Sequence, residues 1–261
     1  MANNDNFKKM YHDGAQVGIV ALAESGTQTP ANIESWTLDD YGKPTSIVIK
    51  DGVTEIPAYF QVRNNSLTAV TLPNSITRIY GGAFTECGGG FSINIPSGIT
   101  KADDYIFQSS VINSDLTFPV STFTSGSSGS GSTANWGYAF TSADICGHTI
   151  TIENGVEIIP RNFLRGTKNY TVIIPSSVTY LSQSCFSSML ASSGTTRIVE
   201  FLGNTPPNEG STTLSNTNSA WYTSTTSYLQ GLRIIVPDNY SVFNAYKNKF
   251  PEVANYIERK S

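Results

Sequence analysis

The chain of 261 residues carries 16 Lys and Arg against 20 Asp and Glu, which gives a formal net charge of −4. This balance argues against nucleic acid as a partner, because nucleic-acid binding rests on basic side chains that neutralise phosphates. No run of 18 apolar residues occurs, so no membrane span is predicted, and an apolar content of 39% is too high for a disordered chain.

The first 44 residues do not repeat and are predicted to be a cap or attachment segment. A short helix is expected to end near Gly14, followed by a weakly apolar run over residues 15–23 and a loop around Trp36. The apolar run resembles the core of a secretory signal only weakly, because Asp13 and Gly14 interrupt the basic region before it. A plain cap would need about half this length. The candidate assembly residues, for docking to another protein or another copy, are Phe7, Met10, Tyr11 and Trp36.

Residues 45–237 are built from one recurring unit. Each unit has an aliphatic-x-aliphatic strand, a polar turn, an aliphatic-x-x-aliphatic stretch and a closing phenylalanine. The closing residues are Phe60, Phe84, Phe107, Phe140, Phe163 and Phe186, at intervals of 24, 23, 33, 23 and 23 residues. A unit this short cannot bury its own apolar face, so the units must stack and share a core.

The alternating tripeptides predict short strands whose first and third side chains point inward. About eight parallel strands are predicted, ending at Ile49, Leu72, Ile95, Phe118, Ile152, Ile174, Phe201 and Val236. At about 4.8 Å per neighbour, they would form a single sheet about 35 Å long. Proline with small polar residues, or Asp/Asn-Gly, supplies the short turns that follow the strands. The fold class is therefore a β-rich solenoid.

One unit reads Leu-Thr-Ala-Val-Thr-Leu-Pro-Asn-Ser-Ile-Thr-Arg-Ile-Tyr-Gly-Gly-Ala-Phe-Thr-Glu-Cys from Leu67 to Cys87. This pattern resembles the BspA-type leucine-rich repeat, and the resemblance extends over about Thr45 to Phe250. It implies a curved solenoid without catalytic residues or cofactors. It also implies a binding role of the kind found in bacterial surface antigens and adhesins, some protist surface proteins and phage particles.

Residues 238–261 are predicted to form a helical cap on the last repeat. Asp238 is the expected N-cap of a helix, and Pro251 is expected to end it. The apolar face of this helix is predicted to consist of Val242, Tyr246 and Phe250. A last helical turn is expected to hold Val253, Tyr256 and Ile257.

The repeat is interrupted by two insertions, at 121–137 and 204–230. The first contains a Ser/Gly run over 125–132, which is typical of a flexible loop. The second is rich in Thr, Ser and Asn. Aromatic residues among small polar ones are typical of recognition surfaces and also of ordered loops packed on a core. The candidate partner-binding residues of the insertions are Trp136, Tyr138, Trp221, Tyr222 and Tyr228.

The middle residue of each strand faces outward from the predicted sheet. In adjacent strands these residues make a neutral, hydrogen-bonding strip that a carbohydrate or a polypeptide could use. The alternative is an ordinary solvated sheet face. The candidate residues of this strip are Thr71, Asn94, Thr117 and Thr151.

No catalytic or metal site is predicted. The chain has 2 histidines and 3 cysteines, without ligands at the spacing of a zinc site. Cys87 and Cys185 fall in the repeating interior and are interpreted as unpaired packing thiols, with a disulfide between neighbouring repeats as the alternative. Asp103 and Asp104 lie in a predicted exposed turn, and no nucleophile motif accompanies them.

These features predict a non-enzymatic binding or structural protein. The favoured setting is a phage virion (tail, baseplate, fibre or head decoration), with an assembly or host-recognition role. Its partners would be other virion proteins, a host receptor or a glycan, and residues 1–44 would serve either to form homo-oligomers or to dock tightly to another protein. The alternative is a secreted or surface-displayed bacterial adhesin that binds host protein or glycan.

Overall fold

The computed structural model describes residues 32–123, 136–187, 195–213, 215–216, 218–224 and 226–261. The predicted Ser/Gly loop lies outside these ranges. The assembly candidates Phe7, Met10 and Tyr11 also lie outside them, as does the side chain of Tyr228.

The described residues form a parallel β-solenoid with one α-helix near its C-terminal end. The strands are β1 (Ile33–Leu38), β2 (Pro44–Ile49), β3 (Glu55–Ile56), β4 (Ala69–Thr71), β5 (Arg78–Ile79), β6 (Ser92–Ile93), β7 (Lys101–Ala102), β8 (Leu116–Phe118), β9 (Thr149–Ile152), β10 (Ile158–Ile159), β11 (Tyr170–Ile174), β12 (Tyr180–Leu181), β13 (Arg197–Phe201), β14 (Asn208–Glu209), β15 (Leu232–Val236) and β16 (Ile257–Arg259). Helix α1 spans Tyr240–Lys249, and 3-10 helices span Val120–Phe123, Thr226–Leu229 and Pro251–Tyr256. Within these ranges, no helix has the length and apolar character that crossing a membrane requires.

The eight predicted strands are all present as β2, β4, β6, β8, β9, β11, β13 and β15, and their alternate residues form the core. The prediction of one continuous sheet is wrong, because the strands fall into two sheets with the orders β1-β2-β4-β6 and β16-β15-β13-β11-β9-β8. A second ladder on another side of the solenoid is likewise divided, into β3-β5-β7 and β10-β12-β14. The 3-10 helix Val120–Phe123 lies in the chain between these two halves of the second ladder.

The main sheet divides because the register slips between β6 and β8. Phe91 is bridged to Ile112, which places Ser114 rather than Leu116 opposite Ile93. The hydroxyl of Ser114 accepts the backbone N–H of Ile93 at 3.2 Å and lies 3.3 Å from the carbonyl oxygen of Ile93. A side chain thus takes the place of the missing backbone partner, so the sheet can break without leaving a buried polar group unpaired.

The closing phenylalanines line one corner of the solenoid, and we call this series of rings the phenylalanine column. All six are buried. Successive ring centroids from Phe60 to Phe163 lie 5.9, 5.7, 5.1 and 5.5 Å apart. These separations are within the range of favourable aromatic contacts, so each ring packs against its neighbours in the stack as well as against the aliphatic core.

Two residues with left-handed backbone flank each of the first five phenylalanines, four positions apart. The pairs are Tyr59 and Arg63, Gly82 and Glu86, Tyr105 and Ser109, Tyr138 and Ser142, and Asn162 and Gly166. This conformation costs a non-glycine residue about 1–2 kcal/mol. Hydrogen bonds between turns of adjacent repeats offset that cost, for example from Phe84 N to Ile106 O at 2.9 Å and from Glu86 N to Gln108 O at 2.8 Å.

The N-terminal end of the solenoid is closed by a β-hairpin. The predicted loop around Trp36 is wrong, since this residue lies in β1, which pairs antiparallel with β2 and places Trp36 opposite Ile47. The Trp36 side chain is half-buried and packs against the core. The strand prediction rests on the repeat pattern of the parallel strands. Because the antiparallel edge strand β1 does not carry that pattern, the sequence did not predict it.

The C-terminal end is closed by α1, as predicted, but with a different N-cap. The side chain of Asn239, not Asp238, accepts the backbone N–H groups of Ser241 and Val242, at 2.9 and 3.2 Å. Asp238 instead lies 3.4 Å from the guanidinium of Arg259. Ile257 is not helical, because it begins β16, which pairs in parallel with β15.

The three cysteines are free. Cys87 and Cys185 are buried, which confirms their interpretation as unpaired packing thiols, and Cys146 is exposed. Burial raises the pKa of the Cys87 thiol to about 11. A thiol with so high a pKa carries little thiolate at neutral pH and is therefore unreactive.

Candidate functional site

Both tryptophans that were predicted to contact a partner are core residues. Trp136 and Trp221 are fully buried. The ring of Trp136 packs edge-on against Phe118, with the centroids 4.8 Å apart. The prediction that they contact a partner from an exposed position is therefore wrong for both residues, because their rings pack in the core, against Phe118 and Phe186 respectively.

Trp221 continues the phenylalanine column past its last phenylalanine. Phe186 donates its backbone N–H to Ala220 O at 2.9 Å, just as Phe107 donates to Ala139 O at 2.8 Å. Ala139 and Ala220 each precede the next ring of the column. The Trp221 ring lies 5.1 Å from Phe186, so it serves as the seventh member of the stack.

Tyr138, in contrast, belongs to a row of outward-facing tyrosines along the same corner of the solenoid. Tyr59, Tyr105 and Tyr138 have φ values of 58°, 63° and 55° in the turn that leads into a column phenylalanine. In these three units, the phenylalanine points inward and the left-handed tyrosine before it turns its side chain toward the surface. We call these three residues the tyrosine row.

The rings of the tyrosine row are held by packing. Tyr105 and Tyr138 stack with centroids 5.2 Å apart and planes inclined by 30°. The ring of Tyr59 lies over Gly82, where a Cβ atom would come within 2.7 Å of Tyr59 Cε1. The exposed fraction is nonetheless 52% for Tyr59 and 40% for Tyr105, while Tyr138 is half-buried. Large exposed rings on an ordered backbone lose little conformational entropy when they bind.

Charged groups border the row at its C-terminal end. The guanidinium carbons of Arg161 and Arg165 lie 5.9 and 5.6 Å from the ring centroid of Tyr138, within the range of cation–π attraction. Burial and, to a smaller extent, the charge of Asp103 raise the pKa of Asp104 to about 6, while Arg161 opposes the shift. Asp103 pairs with Arg78 at 3.1 Å. The border therefore carries charges of both signs.

The predicted polar strip is brought together only in part. Thr71, Asn94 and Thr117 are exposed and line one open groove of about 440 Å³ where the main sheet divides. Ser92, Ser114 and Asp115 complete its polar lining. Thr151 pairs with Thr117 across β8 and β9 but is half-buried and does not line the groove.

Much of the hydrogen-bonding capacity of the groove is used by the protein itself. The Asn94 amide accepts Leu72 N at 2.8 Å and donates to Leu72 O at 2.7 Å. Asp115 accepts Thr149 N at 2.8 Å, a bond that lowers the pKa of this carboxyl, and His148 adds to the effect. These groups hold the edges of the divided sheet, so the groove is mainly a product of the register slip.

The second insertion offers little exposed aromatic surface within its described residues. Tyr222 is half-buried beside the buried Trp221. Sequence reasoning missed Tyr59 and Tyr105, although their signal was present. A tyrosine stands one or two residues before the column phenylalanine in three of the six units. This recurring position just before the phenylalanine, rather than the insertions, marks the exposed aromatic surface.

Comparison with protein families gives a specific match. The family described as "BspA type Leucine rich repeat region" matches six copies over residues 28–130 and 136–198. These ranges cover more than half of the chain and include the whole tyrosine row. No curated protein sequence matches the chain.

Proposed function

Because the chain belongs to the BspA-type leucine-rich repeat family, we propose that it binds another protein through the tyrosine row. Leucine-rich-repeat solenoids are typically non-enzymatic scaffolds for protein–protein interaction. The single observation that carries the choice of surface is the exposure of Tyr59 and Tyr105 on a rigid corner. Tyrosine and arginine are enriched in protein interfaces and among the residues that dominate binding energy.

The surroundings of the row suit an interface of this kind. Val62 lies in the same turn as Tyr59 and is 37% exposed, which extends the apolar centre. Arg63 pairs with Glu86 at 2.7 Å between two adjacent turns, so a polar border also flanks this end. An apolar centre with a border of paired charges is the usual arrangement of a transient protein–protein interface.

The family supports a surface or extracellular setting, since BspA-like repeats occur in bacterial proteins of that kind. The adhesin role is therefore our leading proposal for the biological context. The phage-particle setting stays a prediction. The neutral Thr and Asn side chains of the divided sheet favour it, and residues 1–44 are where an attachment function would be sought.

Binding of the immobilised full chain to arrays of host extracellular proteins and of glycans tests the proposal. The variants Tyr59→Ser and Tyr105→Ser should lose at least about tenfold in affinity for the protein that the natural chain binds, since loss of a central aromatic contact costs about 1–2 kcal/mol or more. Tyr240→Ser is the matched control, because Tyr240 is 70% exposed on α1 and lies outside the row.

The outcomes discriminate between the surfaces. Loss of protein binding in the two row variants with full binding by Tyr240→Ser would support the proposal. Equal binding by all variants, or binding of glycans alone, would show that the row is not the recognition surface. Virion docking instead predicts that deletion of residues 1–31 abolishes assembly while the row variants have no effect.

A further inference from the structure

Two glutamates from distant parts of the chain meet beneath the second insertion. Glu209 lies in β14, and Glu252 lies in the 3-10 helix Pro251–Tyr256 of the C-terminal cap. Ser219, from the described part of the insertion, lies between them, with its Oγ 3.4 Å from Glu209 Oε2 and 3.4 Å from Glu252 Oε1. We call these three residues the carboxyl clasp.

The clasp adds side-chain links between three segments of the chain. Glu209 Oε2 accepts the backbone N–H of Ala220 at 2.9 Å, which fixes the insertion to β14. The insertion is in turn bonded to the preceding repeat, through Ser184 N to Ser219 O at 2.8 Å. The C-terminal cap reaches this assembly through Glu252. Loss of the clasp would therefore weaken the connection between the insertion and the cap and leave the ring contact between Trp221 and Phe250, at 5.7 Å, to hold them.

The remaining oxygens of the pair, Glu209 Oε1 and Glu252 Oε2, are buried without a hydrogen-bond partner in the described structure. Two ionised carboxylates in this position would each leave an oxygen unsatisfied and would repel each other. One proton on either carboxyl group would change this, because the protonated oxygen could donate to the other carboxylate. A shared proton thus satisfies both groups.

No cation compensates the pair among the described residues. Cys185, in the turn after β12, lies close enough to Glu209 for their charges to interact, while Lys249 on α1 and Tyr180 on β12 lie beside Asn208 and Gly210, the chain neighbours of Glu209. Lys249 Nζ donates to Asn208 Oδ1 at 2.8 Å rather than to either glutamate. Cys185 is a buried neutral thiol, and Tyr180 Oη lies near Gly210. The surroundings therefore favour a protonated pair.

We propose that Glu209 and Glu252 share one proton in the folded protein and form a clasp that tightens in acid and loosens in base. Uptake of a single proton makes the bond, and its release restores two repelling carboxylates. The second insertion and the C-terminal cap are the elements that respond. The clasp is independent of the tyrosine row and does not rest on the proposed binding function.

The direction of the response follows from the pKa values. Burial, with a smaller contribution from the charge of Glu252, raises the pKa of Glu209 from its ordinary value of 4.5 to about 8. Burial also raises the pKa of Glu252. Between pH 4.5 and about pH 8, the folded chain therefore binds more protons than the unfolded chain. The stabilisation is fully present below pH 4.5 and is lost as the pH rises through about 8.

Hydrogen exchange of the full chain at about pH 5 and pH 9, corrected for the intrinsic rate, tests the clasp. Amides of residues 218–224 should lose at least about tenfold in protection at the higher pH. Glu209→Gln and Glu252→Gln each replace a carboxyl with an amide that donates at any pH, so each should reduce this loss to about twofold or less. Glu157→Gln changes an exposed glutamate and is the control.

Strand β13 provides the internal reference, since its protection should not follow this pH dependence. The shared proton would be established if residues 218–224 lost tenfold in protection in the natural chain and in the control, and if either glutamine variant suppressed this loss. Constant protection of residues 218–224 between the two pH values would overturn the proposal. So would the same loss in the glutamine variants as in the natural chain.

Discussion

The corner and the main sheet of the solenoid respond differently to irregularities in the repeat. At the corner, a buried ring closes every repeat from Phe60 to Phe186 in spite of the first insertion, and Trp221 packs on Phe186 in spite of the second. On the sheet side, the strand ladder divides between β6 and β8. Backbone partners can be replaced by a hydroxyl or an amide, as Ser114 and Asn94 show, whereas only another large ring can fill a place in the column.

The largest effect is expected from removing a ring in the middle of the column. Phe107 lies within 6.5 Å of the rings of Phe84, Phe91, Trp136 and Phe140. Phe107→Ala should lower the free energy of unfolding by about 3–5 kcal/mol, because a cavity remains between stacked repeats. Urea denaturation measures this. A loss below about 1 kcal/mol would show that the column is not the main support of the corner.

The next largest loss of stability is expected from a substitution that crowds the ring of Tyr59. In Gly82→Ala, the new Cβ would lie 2.7 Å from Tyr59 Cε1 at a φ of +68°. We expect the free energy of unfolding to fall by about 1–3 kcal/mol and the Tyr59 ring to be displaced. Gly52→Ala is the control, since Gly52 has a φ of +87° and nothing within 4 Å of its Cβ position. Equal losses in thermal or urea unfolding would mean that only the backbone conformation matters and that the ring does not press on Gly82.

Substitutions where the main sheet divides, between β6 and β8, should destabilise the protein less. Asn94→Ala removes two hydrogen bonds to Leu72 at an exposed position, where water can replace them. A loss of about 1 kcal/mol in urea denaturation is expected. Asn94→Asp should cost at least as much, because its carboxylate can still accept Leu72 N but faces the carbonyl oxygen of Leu72. If Asn94→Ala were as harmful as Phe107→Ala, the contrast between corner and sheet would not hold.

The smallest effect is expected at exposed tyrosines. Tyr105→Ser should change the free energy of unfolding by about 1 kcal/mol or less, since only its stacking on Tyr138 is lost. Tyr240→Ser should change it by about 0.5 kcal/mol or less. A large loss of stability in Tyr105→Ser would mean that the row supports the fold, and its loss of binding could then not be assigned to direct contact.

The sequence predicted the repeat correctly because stacking imposes a fixed phase on buried residues. The strands from β2 to β15 on the main ladder and the buried phenylalanines follow directly from that phase. Trp221 was missed as a column member because it lies 35 residues after Phe186, beyond the second insertion. Its role depends on backbone register, which the composition of an insertion does not encode.

The candidate site was less accessible to sequence reasoning. The composition of the insertions is compatible with a contact surface and with packing on the core, and it does not decide between them. The left-handed turn before the phenylalanine gives Tyr59 and Tyr105 their outward direction. The groove beside Thr71 and Thr117 depends on a register slip of the main sheet, and no residue pattern predicts this slip.

The most direct test of the tyrosine row is a hydrogen-exchange footprint of the full chain with the protein partner that it binds. The account predicts that the partner protects amides in the turns around Tyr59, Gly82 and Tyr105, and leaves exchange in β6 and β8 unchanged. Protection confined to β6 and β8, with the tyrosine turns unaffected, would contradict it and would place recognition in the groove of the divided sheet.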